Sequence, residues 1–489
     1  MKTMTVLNSL PGLFRAGLTA ALVCLGGPGH AAVTGWEGAL DPNAASTRVF
    51  RLIAKHDFIS TSDGNSHYAW GYAHDFNDGN AFPMQYPGPT LIAYQGETIK
   101  ISLKNELPVV VSAVFPGQQG VQSACISVTQ CADGLLTKEI QRGGVVEYSF
   151  VAAQPGTYMY HSGTNPDLQV EMGLVGAIIV RPTGFARGTK GSHPDRKAYQ
   201  QAGTDYDREH LFLLSEMDPD FHWQVYGQVI SGMPGQPVNV TVDTTTIRPS
   251  IWFINGRNAP DTMLPDYVYW LPTQPYGALP RMHPGERLLM RVVSAGRDLH
   301  PFHHHGNHAY PIARDGRVLS SAPTVLTKAP DLTSPDFTVR AVPGQTMDLI
   351  FEWTGKGIGW DVYGTPAGGA PAHTCKDVVN NRTGLPGADG FADLDADHPW
   401  EWCADHGRPM PVTLAGTLDL SFGESWGGSP FLGLTGNLPQ GHPGLNTRGG
   451  YFHMWHSHNE KEITTDDIFP GGMMTMLIVE PWSEDLDFE

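Results

Sequence analysis

At 489 residues the chain exceeds one ordinary hydrophobic core, so two domains with added loops are expected. Its 57 glycines and 39 prolines, set against only 16% charged residues, favour many short strands and turns over long helices, so the expected class is all-β. The formal net charge of −18 argues against nucleic acid or an anionic membrane surface as a partner and biases the molecule toward cations such as metal ions.

The N-terminus carries Lys2 and Arg15, then an apolar run from Ala16 to the small residues Ala31 and Ala32. This pattern reads as a secretory signal over residues 1–32, and bulky Val23 before Cys24 argues against a lipoprotein anchor. No later segment approaches the roughly 20 apolar residues needed to span a bilayer. The expectation is an exported protein, periplasmic or extracellular, without a membrane span. Beyond the signal stand Cys125, Cys131, Cys375 and Cys403, an even number for an oxidising compartment. Pairing of Cys125 with Cys131 and Cys375 with Cys403 is the simplest of three connectivities; a thiolate metal site is the alternative, although neither pair lies near a histidine cluster in sequence.

Two halves of the chain share landmarks in the same order. Gln95-Gly96-Glu97 opens the alternating strand Thr98–Leu103, and Pro284-Gly285-Glu286 opens the strand Arg287–Val293. Further on, Tyr160-His161-Ser162 precedes an apolar run from Gly173 to Pro182, while Trp455-His456-Ser457 precedes one from Gly472 to Pro481. In both copies the span from Gly to Pro is nine positions, so a duplicated β-sandwich is predicted, each copy roughly 150 residues long.

In the second half, His300-Pro-Phe-His303-His304-His305-Gly-Asn-His308 packs five imidazoles into nine residues directly after an apolar strand. A strand presents residues i and i+2 on one face, so His303 and His305 can point at one metal, as can His456 and His458. Imidazole suits copper, zinc, iron and nickel. Gly96 precedes Gly117 by 21 residues and Gly285 precedes Gly306 by 21, which aligns Val114 with His303 and Pro116 with His305. His161 then aligns with His456, and Gly163 with His458. Of four candidate ligand positions the first copy keeps one and the second keeps all four.

Taken in order, Pro87-Gly-Pro-Thr90 with Gly96-Glu97, Asn105-Glu-Leu107, Thr129-Gln-Cys131, Gly156-Thr-Tyr158, Tyr160-His161-Ser162, Asn255-Gly256 and His300–Gly306 resemble the signature stretches of the multicopper oxidases. The resemblance runs from about Arg48 to Pro481, with one long insertion. It implies cupredoxin domains, which are Greek-key β-sandwiches, copper as the cofactor, and oxidation of a small-molecule or metal-ion substrate with dioxygen as acceptor. In that family four His-x-His pairs hold a trinuclear copper cluster, and a Cys between two of those histidines ligates a blue copper. Here His303 and His305 match one pair, His456 and His458 another, His161 one first-half ligand, and His300 the blue-copper histidine. Ser457 stands in the place of the Cys, and a hydroxyl cannot replace the thiolate that defines a blue site. The resemblance therefore implies a reduced His-ligated site, with zinc as a competing occupant. Copies that all lack the same ligands cannot restore them by forming a homo-oligomer, whereas a His-bearing partner chain could.

The resulting division is a signal over 1–32, a first cupredoxin-like domain over 33–186, a second over 205–365 and 449–483, and an insertion over 366–448. That insertion is rich in Gly, Pro, Asp and Trp, contains Cys375 and Cys403, and reads as a stapled, loop-rich flap. Its His373, His398, His406 and His442 read as ordinary surface residues; a flap that shapes access to the copper face is the alternative. His304 and His308 read as supporting donors or solvent-facing side chains. His453 is expected to point into the sandwich, and Met473, Met474 and Met476 to fill the core, with soft thioether donation to Cu(I) as the alternative for the methionines. Two functions other than a reduced oxidase stay open: a non-enzymatic cupredoxin that binds copper or serves as scaffold, and one component of a hetero-oligomeric oxidase.

Overall fold

The computed structural model describes residues 33–75, 82–185, 196–233, 235–356, 361–406 and 451–486. The expected signal over 1–32 and His442 lie outside the described residues. Among the described residues the regular structure is mostly strand with few helices, arranged as two face-to-face sandwiches of cupredoxin type.

In the first sandwich one sheet runs Ala39–Asp41, Ala44–Ser60, Thr98–Asn105, Val145–Val151 and Gln122–Cys125, with Ser66–His74 also paired to Ala44–Ser60. The other sheet runs Gly156–His161, Val175–Arg181 and Gly88–Tyr94. Thr98–Asn105 alternates between half-buried and buried, so Ile99, Ile101 and Leu103 enter the core beside Phe50, Tyr148, Tyr160 and Ile178 from both sheets. Each such side chain contributes roughly 1.5–3 kcal/mol by burial.

The second sandwich repeats the plan. One sheet runs Ile251–Ile254, Arg208–Met217, Arg287–Ser294, Thr346–Glu352, Tyr310–Arg314 and Arg317–Val318; the other runs Arg281–Met282, Met474–Val479, Tyr451–Ser457, His300–His304 and Thr338–Ala341. In each half the first long strand pairs in parallel with the strand after the Gly-Glu turn, and the last strand pairs in parallel with an earlier one. The four register glycines Gly96, Gly117, Gly285 and Gly306 all have positive φ, between 79° and 103°, a conformation that other residues rarely adopt.

Unlike Thr98–Asn105, the strand Arg287–Ser294 is buried on both faces beyond its first residue. Its outer face is covered by the first half: Met159, Val175, Ala177 and Ile179 pack with Leu211, Leu213 and Val293. Beside this layer Arg291 is fully buried, 2.7 Å from Glu209 Oε2, and donates to Thr157 at 2.9 Å; Arg181 pairs with the same Glu209. Burial raises the Glu209 carboxyl, but the two guanidinium groups outweigh it and hold it at about 2.

A helix that strand patterning does not announce, Pro219–Ser231, starts where the Asp218 side chain accepts the Phe221 amide at 3.1 Å, with Pro219 in its first turn. Its Phe221 and Val225 sit in the core of the first half. Both local cysteine pairs are disulfides, Cys125–Cys131 and Cys375–Cys403.

Candidate metal centre

His300–His304 lies between Thr338–Ala341 and Tyr451–Ser457, in the register His303 opposite His456, Phe302 opposite Ser457 and His304 opposite Trp455. Strand alternation sends Phe302, His304 and Trp455 into the core, where each is at most 1% exposed. His303, His305, His456 and His458 consequently share the opposite face. Ring centroids are 4.7 Å apart for His303 and His305, 5.2 Å for His305 and His456, and 5.0 Å for His303 and His458.

Three of these rings are buried and each can offer one nitrogen to a shared point, the candidate nitrogens of His303, His305 and His456 lying within 4.8 Å of one another. The far nitrogens of His303 and His456 are anchored, and His305 is held through its backbone. His456 Nδ1–H donates to the Ser457 carbonyl at 2.7 Å, which leaves its Nε2 lone pair facing His305 Nε2 at 3.3 Å. His303 Nδ1 lies 2.9 Å from Thr338 Oγ1, and Trp455 Nε1–H holds the His305 carbonyl at 2.9 Å. Such outer partners fix ring orientation, as they do around metal-ligating histidines generally. Burial, reinforced by the neighbouring rings, pulls His303 down to about 4 and His305 to about 3, so both are neutral near pH 7 with a lone pair to give. His458 is exposed at the edge of the group. The donor set therefore fits an imidazole-seeking metal such as copper or zinc.

His300 is not brought into this group. Its Nδ1 lies 2.9 Å from Glu462 Oε2 and its Nε2 2.9 Å from Glu216 Oε2, so neither ring nitrogen is open to a metal in this arrangement. Burial alone would lower the imidazole, but the two carboxylates raise it to about 9. Ser457 Oγ–H donates to the same Glu462 Oε2 at 2.6 Å. The place where the family resemblance puts a blue copper is thus a buried Glu216–His300–Glu462–Ser457 chain of hydrogen bonds.

His161 also lies apart from the cluster. Val114 pairs with His161 by two backbone hydrogen bonds, as the glycine register predicts from His303 opposite His456, and His161 Nδ1–H donates to the Ser162 carbonyl at 2.9 Å just as His456 does to Ser457. Around it, however, the ligand positions are filled by other groups. A Cβ at Gly163 would lie 2.8 Å from Val114 Cγ1 and 3.0 Å from Ser112 Oγ. His161 instead lines a cleft with Asp167, Glu171, Glu216 and Arg297, and among the described residues it joins no group of three or more ligand-bearing side chains.

The neighbouring residues sort by strand parity. His304 is buried and accepts the Ala309 amide at its Nε2, whereas His308 is exposed with its ring against Phe337. His453 is fully buried beside Trp353, and Met473 and Met474 are core residues. Sequence reasoning missed two features: the carboxylates around His300, and a second gathering in the insertion where His373, Glu401 and His406 each offer an atom within 4.8 Å of the others. The Cys375–Cys403 pairing was the available signal for the latter, because it draws His373 toward Glu401.

Residues 75–184 match the family model for multicopper oxidases. Over 231 residues the chain is 29% identical to an L-ascorbate oxidase of Cucurbita maxima, covering 45% of this chain and 34% of that protein. Over 174 residues it is 30% identical to laccase-25 of Oryza sativa subsp. japonica, covering 34% of this chain and 28% of that protein. The aligned stretch thus spans about a third of each relative's length. Among solved structures, a blue copper oxidase from Nitrosomonas europaea aligns over 88% of this chain and 85% of that one, at 15% identity and a TM-score of 0.47.

Proposed function

We propose that this chain, which matches the multicopper oxidase family model over residues 75–184, is an exported copper-dependent oxidoreductase of that family whose metal is held by His303, His305 and His456, with His458 at the edge. The observation that carries this reading is the convergence of three buried imidazoles, with the far nitrogens of His303 and His456 anchored by Thr338 and the Ser457 carbonyl and the backbone of His305 held by Trp455. Copper bound there supplies one-electron redox chemistry between Cu(I) and Cu(II). The buried rings keep neutral donors in place without reorganisation, and exposed His458 leaves the group approachable from solvent. Without a Cys at position 457, a small-molecule or metal-ion substrate delivers its electrons at this site itself, and dioxygen is the acceptor. Export rests on the signal pattern of residues 1–32.

The filling of the first-half positions by Val114, Ser112 and Thr164 favours a second reading, a copper-binding protein that does not turn over dioxygen unless a partner chain adds ligands. The test is to purify the mature chain, count bound metal by elemental analysis, record its absorption and electron paramagnetic resonance spectra, and follow dioxygen consumption with a phenol and with Fe(II). Stoichiometric copper without a strong blue band, together with dioxygen uptake, is the expected result. Copper without uptake selects the second reading, and absence of stoichiometric copper overturns both.

A further inference from the structure

A second cluster of ligating side chains lies in the insertion, built from segments that the Cys375–Cys403 disulfide ties together. His373 and Cys375 are two residues apart on one segment, and Glu401 and Cys403 two apart on the other. His373 Nε2 lies 3.0 Å from Glu401 Oε1, and His406 Nδ1 lies 2.9 Å from that same oxygen and 3.2 Å from Asp361 Oδ2. The side chains of Glu401 and Asp361 are fully buried, and His373 is nearly so.

The hydrogen-bond bookkeeping is unusual. His373 Nδ1–H donates to the Pro371 carbonyl at 2.8 Å, so in the neutral ring Nε2 is a lone pair aimed at a carboxylate oxygen. Such a contact needs a proton or a metal cation between the two atoms. Both imidazoles converge on Oε1, while Glu401 Oε2 is buried with no hydrogen-bond partner. Two protonated imidazoles serving a carboxylate would more favourably be shared between its oxygens, since a buried acceptor left unpaired costs about 1–3 kcal/mol. Convergence of two imidazole nitrogens and a carboxylate oxygen, all within 4.8 Å of one another, with the Asp361 carboxylate against His406, is what a shared cation organises. Zinc bonded to nitrogen and oxygen at about 2.0–2.1 Å sets tetrahedral ligand separations of about 3.3 Å, close to the 2.9 and 3.0 Å between Glu401 and the two imidazoles and the 3.2 Å between His406 and Asp361.

We propose that His373, Glu401, His406 and Asp361 form a second metal site, for a zinc-like divalent cation with two nitrogen and two oxygen ligands, which clamps the insertion to the end of the second sandwich. The two carboxylates neutralise the ion. Asp361 follows the core strand Thr346–Glu352, and adjacent Tyr363 packs on the Gly285 turn while its ring stacks on His398 at 3.9 Å, so the clamp bears on the sandwich itself.

The test uses the full mature chain carrying H303A and H305A, so that the other cluster does not contribute, after removal of bound metal with a chelator. Titration with Co²⁺, read by its tetrahedral d–d absorption, and with Zn²⁺ in competition with a chromophoric chelator should each give one equivalent. Adding H373A and H406A together should abolish that equivalent, and E401Q should weaken it at least 100-fold. H406N, at the most exposed ligand, is the mild variant for the case in which the double change unfolds the insertion; it should weaken binding at least 10-fold with the near-ultraviolet circular dichroism unchanged. Zn²⁺ should also slow proteolytic cleavage within the insertion. Failure to bind one equivalent, equal binding by E401Q and H406N, or cleavage indifferent to Zn²⁺ would overturn the proposal, and none of these outcomes bears on copper at His303.

Discussion

The hairpin regions around His161 and His456 share a backbone and differ in what fills it. Both place the histidine opposite a residue of a neighbouring segment, Val114 in one half and His303 in the other, and both tie Nδ1–H to the next carbonyl. In the second half the face carries four imidazoles; in the first, Val114, Ser112 and the missing side chain of Gly163 close the space. Orientation of a ligand is therefore inherited from the strand pair, whereas a site requires that every neighbour on that face be a ligand too.

The largest break expected in this comparison is in metal content. Replacing His303 and His305 with Ala should lower copper affinity by at least about 100-fold, while His161→Ala should leave it unchanged, both read by elemental analysis and equilibrium dialysis. Loss of copper in His161→Ala would show that the two halves cooperate in one site.

Next comes the buried chain beside the cluster, which has no counterpart at His161. The folded-state value of His300 is raised from 6.5 to about 9, so its stabilisation is fully present below about pH 6.5 and lost as pH rises to about 9. The loss is of order 3 kcal/mol. Urea unfolding of His300→Gln and of the natural chain at pH 6 and pH 9.5 checks it: the difference in stability between the two proteins should shrink at the higher pH. An unchanged difference would mean that His300 is neutral in the fold.

Smaller is the effect of adding one methyl group. Gly163→Ala should destabilise by about 1–3 kcal/mol in a denaturant melt, because its Cβ meets Val114 and Ser112 in a closed site. Smallest in stability is His458→Ala, expected within about 0.5 kcal/mol because the residue is exposed, yet accompanied by weaker copper binding in the same dialysis assay. A His458→Ala protein with unaltered copper affinity would restrict the site to the three buried rings.

Much of this fold was legible because its signals are local. Alternation in Thr98–Asn105 reports one buried face, and the matched glycines report turns that need positive φ. The same parity sorted His303 and His305 from His304, and sent His453 inward. Where both faces are buried, as in Arg287–Ser294, alternation is lost, since the second covering surface comes from the other half of the chain. The helix Pro219–Ser231 had a readable start in Asp218-Pro219, but its burial against the first core had none.

The amino-acid sequence by itself determined the duplicated strands, the matched glycine turns and the face on which the four histidines stand, all set by chemistry acting over a few residues, whereas the choice of the local disulfides among three connectivities came from the structure. Tertiary structure alone decided which histidines lie together. Glu216 and Glu462 approach His300 across 84 and 162 positions and take both of its nitrogens, while Asp361, His373, Glu401 and His406 meet across loops without periodicity. Metal coordination and buried ion pairing depend on atoms within about 4 Å in space, and a pattern of residues along the chain carries no record of a neighbour that arrives from elsewhere in the fold.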